Sequence, residues 1–93
     1  MIKSQYQNII QDVITKCQEY LDKKISIQTL QAYIQNAEQQ IISLEEKKIC
    51  EYLQNIEAEI ELILFTVNKE DQEQKFNSLA KRLLKKLKEV LSN

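Results

Sequence analysis

ICEYLQNIEAEIELILFTV, residues 49–67, decides the fold. Ile49, Leu53, Ile56, Ile60, Ile63 and Val67 recur at steps of four, three, four, three and four. That spacing returns to one face of a 3.6-residue helix at every turn. A helix with such a seam must bury it, so other amphipathic helices are expected around it. The glutamates at alternate positions, Glu57, Glu59 and Glu61, form no acidic stripe on this helix. Glu57 and Glu59 fall about 80° to either side of the seam, and Glu61 lies at about 120°.

The rest of the chain supplies those helices. Tyr6, Ile10, Val13, Cys17 and Leu21 make a stripe, flanked by Ile9, Ile14 and Tyr20, on a first helix over Gln5 to about Asp22. Ser4 is placed to cap it, with Gln7 where a capping-box partner stands. After Asp22-Lys23-Lys24, Ser26 caps a second helix, and Ile25 can staple onto Leu30. That helix presents Ile27, Leu30, Ile34, Ala37 and Ile41. Near Ser43 the apolar phase slips. Continuing from Ile41 and Leu44 lands on Lys48 and Glu51, whereas the next stripe begins at Ile49. Ser43 and Glu46 match a capping box, which predicts a turn. One long kinked helix from Ile27 to Val67 is the alternative. Asn68 caps a fourth helix, with Glu70 and Asp71 in its first turn and Phe76, Ala80, Leu83, Leu87 and Val90 inward.

These elements predict an all-α fold, a compact antiparallel four-helix bundle in one domain over residues 1–93. A parallel coiled-coil dimer built on the third helix is the competing arrangement. The 93 residues include no Gly and no Pro, which argues against a β fold built on tight turns. Two cysteines, Cys17 and Cys50, cannot make a disulfide framework and read as buried free thiols in a reducing compartment. No stretch approaches the 18 apolar residues of a membrane span. A soluble cytoplasmic protein is the expectation.

The sequence also excludes much chemistry. There is no histidine, so the commonest general base and metal ligand is missing. Without Gly there is no phosphate-cradling loop or dinucleotide fingerprint. Glu57 and Glu61 are four apart and could share a hard cation, but helix-borne carboxylate metal sites add Glu-x-x-His motifs, which are absent. Neither an enzyme, a cofactor, a metal nor a small-molecule substrate is expected.

Charge is uneven. Residues 38–73 hold ten acids against three lysines, whereas residues 74–93 hold five lysines and Arg82 against Glu89 alone. Lys81, Arg82, Lys85, Lys86 and Lys88 could in principle meet nucleic acid or a membrane surface. They lack interleaved aromatics, and a pI near 5.5 is wrong for a dedicated nucleic-acid binder. A solvated basic face that also neutralises the acidic third helix is the simpler reading.

Opposite the Ile49-to-Val67 seam lie Ala58, Leu62 and Phe65, within about 40° of the far pole. The end of the third helix is thus apolar on both sides. Either another part of the chain, such as the 66–76 connection, covers Leu62 and Phe65, or they form an exposed patch. In the second case Glu51, Glu59 and Glu61 rim an aromatic anchor, as in a protein-binding hot spot. Self-association through the same patch, giving a homodimer, is the alternative use.

The length, the ISIQTLQAYIQNAEQQI segment (25–41) and the YLQNIEAEIELILFTV segment (52–67) together resemble small all-helical immunity proteins of bacterial toxin systems. Contact-dependent growth-inhibition immunity proteins and helical colicin- or bacteriocin-type immunity proteins are of this kind. The resemblance implies binding to a cognate toxin, often a nuclease domain, and blocking its active site or an adjacent surface. It implies that Glu51, Glu59 and Glu61 act as charge complements, with Ala58, Leu62 and Phe65 as the apolar contact. An acidic helix facing a basic nuclease cleft would also speed association.

Overall fold

The computed structural model describes residues 4–92, and within them four helices follow one another with no strand. Helix α1 spans Ser4–Leu21 and α2 spans Ile27–Gln40. A 3-10 turn, Leu44–Glu46, leads into α3, Lys47–Thr66, and α4 closes the bundle over Lys69–Ser92. The molecule is 40 × 23 × 18 Å, a length set by α4, since 24 residues rise about 36 Å. Each helix packs on its sequence neighbour, and α1 also packs on α4. That is the ring of contacts of an up-down four-helix bundle.

The stripes read from the sequence are the core. Ile10, Leu30, Ile34, Leu53, Ile60, Leu83 and Leu87 are fully buried, and among the described residues no polar residue is buried with them. Leu79, which lies beside the expected α4 stripe, joins them. Val90, expected inward, is only half-buried near the end of α4. Val67, expected as the last seam residue, lies just past α3 in extended backbone and still packs on the core.

The helix ends show why a chain without glycine or proline still turns. Ser26 has extended backbone, and its Oγ accepts from the Thr29 N–H at 3.2 Å, satisfying one orphan donor of α2. Ile25 before it is half-buried against the core. Ser4 is itself the first helical residue of α1, and its side chain lies outside the described residues, so the expected cap there is not described. At Ser43 the turn is present. The Oγ accepts from Glu45 N–H at 3.3 Å, and the carbonyl accepts from Glu46 N–H at 3.0 Å. The long kinked helix is thereby ruled out, since α2 ends at Gln40 and α3 starts at Lys47. Asn68 stands where a cap was expected, its carbonyl accepting from Asp71 and Gln72.

Helix α1 ends in a left-handed turn. Lys23 has φ 63°, the Lys24 N–H donates to the Glu19 carbonyl at 2.8 Å, and the Lys23 N–H donates to Tyr20 at 3.0 Å. This pair of bonds is a Schellman ending, whose left-handed position is usually glycine. A Cβ there costs free energy that glycine avoids. Lys23→Gly is therefore expected to raise stability by about 0.5–1 kcal/mol in urea unfolding. A loss of stability would show that the Lys23 side chain, including its 3.6 Å pairing with Glu73, outweighs the strain.

Candidate functional site

In this arrangement α3 has helices on two flanks only. On one flank it meets α2. Gln35 of α2 donates to Glu57 Oε1 at 3.1 Å, and the Cys50 thiol donates to the Glu38 carbonyl at 3.6 Å. On the other flank it meets α4, where Arg82 pairs with Glu59 and Lys86 sits over the Tyr52 ring at 5.8 Å. The seam between those flanks is buried. The side away from it faces solvent.

That outer side carries the predicted residues. Ala58 and Glu61 are exposed, Leu62 is 60% exposed and Phe65 is 86% exposed. Nothing among the described residues covers them. The connection imagined over 66–76 does not exist, because α4 already begins at Lys69. Gln72 folds back from α4, but its amide donates to the Val67 carbonyl at 2.9 Å and finishes α3 without shielding Phe65. The residues sit at i, i+4 and i+7, so Ala58, Leu62 and Phe65 form a continuous apolar strip along the last two turns of α3.

The acidic rim is less uniform than the sequence suggests. Glu61 is exposed inside the strip, between Ala58 and Phe65. Glu51 is exposed about two turns from Ala58 and lies 3.8 Å from Lys47, both side chains being more than half in solvent. Such a pair is worth little and leaves both charges accessible. Glu59 differs. It is half-buried and held by Arg82, so part of its charge is neutralised within the bundle. Glu57 is turned towards α2 and away from Glu61, so the two do not converge on a cation.

Two further features were not singled out in the sequence. Ile42 and Leu44, either side of Ser43, are 81% and 89% exposed. For Leu44 the phase slip was the signal, since it stands in step with the exposed Lys48 and Glu51; for Ile42 the sequence held no signal. They lie at the opposite end of α3 from Phe65, about 30 Å away along a 20-residue helix. The basic face of α4 is also divided. Arg82 and Lys86 turn to α3, which leaves Lys81, Lys85 and Lys88 outward. The basic residues thus partly neutralise the acidic helix, as expected.

The reactive groups are quiet. Burial pushes the Cys17 thiol up to about 12, far from the thiolate needed for nucleophilic work. Burial, with Glu38 and Glu51 nearby, also raises the Cys50 thiol. Among the described residues no three His, Cys, Asp or Glu come together as metal ligands. Among them, too, no helix is long and apolar enough to cross a membrane. No family model matches the chain, and no curated protein or solved structure matches it either.

Proposed function

We propose that this chain is a non-enzymatic protein-binding module that docks a basic partner on the outer face of α3. The observation that carries this reading is Phe65, a large aromatic side chain 86% exposed beside Leu62 on a rigid helix. Aromatic residues held rigidly lose little conformational freedom on binding and make effective anchors. The partner we propose is a cognate bacterial toxin, in particular its nuclease domain, which the module binds and neutralises as an immunity protein. Glu51 and Glu61 complement a basic cleft, and the net negative charge of residues 38–73 steers it in. The site of action is the reducing cytoplasm, in keeping with two free cysteines.

Charge favours a different protein over a second copy. Pairing two α3 faces through Leu62 and Phe65 would bring the Glu61 carboxylates of both copies together, a like-charge contact. The protein alone is then a monomer by light scattering. The test starts with the product of the neighbouring open reading frame. It is mixed with the wild-type chain and with Glu61→Lys, and association is followed at low salt. Inhibition of a nuclease activity, with a several-fold slower on-rate and a shallower salt dependence for Glu61→Lys, is the expected result. Equal on-rates at low salt would refute electrostatic steering. A stable dimer dissolved by Leu62→Glu would assign the face to self-association instead.

A further inference from the structure

Between α2 and α3 two half-buried glutamates, Glu38 and Glu57, face each other, each with one carboxylate oxygen turned out of solvent. Glu38 Oε1 and Glu57 Oε2 are both shut off from solvent, and neither has a hydrogen-bond donor. Two ionised carboxylates are acceptors only, so neither can satisfy the other. Leaving both inaccessible oxygens charged and unpaired would be costly. The other Glu57 oxygen already accepts from Gln35, which leaves Oε2 as the atom free to accept across the seam. One proton on Glu38 would satisfy both orphaned atoms at once.

We infer that Glu38 and Glu57 share a single proton and act as a pH-sensitive latch between α2 and α3. With the proton in place, Glu38 donates to Glu57 across the seam. Without it, two like charges face each other and the helices are pushed apart.

Among the described residues, no ion pair places a cation on Glu38 or Glu57. On α3 the neighbours are the Cys50 thiol, which donates to the Glu38 carbonyl, and Glu51, which has the exposed Lys47 ammonium 3.8 Å away in solvent. The 3-10 turn adds the carboxylates Glu45 and Glu46. On α1, Asp12 lines the opposite flank of α2 with Tyr33 and Asn36, and Lys16 pairs with Glu19 and lies over Tyr33. On α4, Arg82 and Lys86 are committed to Glu59 and Tyr52 on the far flank of α3. Burial first, and then Glu57, hold the Glu38 carboxyl up to about 7, against 4.5 for an ordinary glutamate.

The folded chain therefore binds this proton more tightly than the unfolded chain. The pair's contribution is complete below about pH 4.5 and is lost as pH rises through about 7. Partial solvation of Glu38 keeps the effect well below the full shift, so a five- to tenfold rise in the unfolding equilibrium constant from pH 5 to pH 8 is the rough expectation. Glu38→Gln supplies a permanent donor in the same place. It is expected to remove that pH slope and to exceed the wild type in stability at pH 8.

The test combines carbonyl-carbon NMR titration of Glu38 with urea unfolding at pH 5 and pH 8, on the wild type, Glu38→Gln and Glu57→Gln. A Glu38 midpoint near neutral that falls towards the ordinary range in Glu57→Gln establishes the shared proton. A wild-type midpoint below 5, or one that Glu57→Gln leaves unmoved, overturns it. Should Glu57→Gln fold poorly, the slopes decide: equal pH slopes in the wild type and Glu38→Gln also overturn the proposal.

Discussion

Ile60→Ala is expected to cost the bundle about 3–4 kcal/mol, whereas Leu62→Ala, two residues away, costs less than about 0.5 kcal/mol. Ile60 is fully buried at the centre of the α3 seam, and truncating it opens a cavity that four packed helices cannot close. Leu62 has most of its surface in water already, so removing its side chain forfeits little burial. In a domain of this size the first change takes away a large share of total stability. Urea unfolding of the two variants with the wild type gives both numbers. Comparable losses at the two positions would mean that α3 is rotated about its axis and that its outer face is covered.

The second large effect concerns binding. Phe65→Ala is expected to weaken the partner complex by at least about 2 kcal/mol, roughly 30-fold in Kd, while the free protein keeps its stability to within about 0.5 kcal/mol. The two halves of this expectation come from one fact: a side chain 86% exposed contributes little to the fold and can bury nearly all its area against a partner. Calorimetric titration and thermal unfolding of the same samples separate them. Lost stability with unchanged affinity would make Phe65 a structural residue.

The fold was legible because every helix of the bundle repeats its instruction many times. Six seam residues from Ile49 to Val67 agree with one another, and a single polar substitution would not hide them. Ser26 and Ser43 were legible for a different reason: capping is local and needs only a hydroxyl next to the right backbone donors. What could not be read depends on how the helices are rotated against each other. The outer position of Leu62 and Phe65 followed from the helical wheel, but whether anything covered them turned on the two-residue link before Lys69. Leu79 adjoins Ala80 in the α4 stripe and is buried because α1 and α3 together cover a wider arc than one seam. Glu38 looked like any glutamate on a polar flank. Only the facing of α2 and α3 brings it against Glu57, residues nineteen apart in sequence. Glu59 shows the same limit, since its partner Arg82 belongs to another helix.

The ring of contacts has a consequence in time. Three of the four helix interfaces join sequence neighbours across links of only two to six residues, and only the packing of α1 on α4 spans the chain. Chains dominated by such local closures fold in microseconds to milliseconds. A ribosome adds a residue roughly every 50–200 ms. Once α4 is free to pack, the bundle is expected to close in less time than one residue takes to be joined, so the outer face of α3 would be presented almost as soon as the four helices are available.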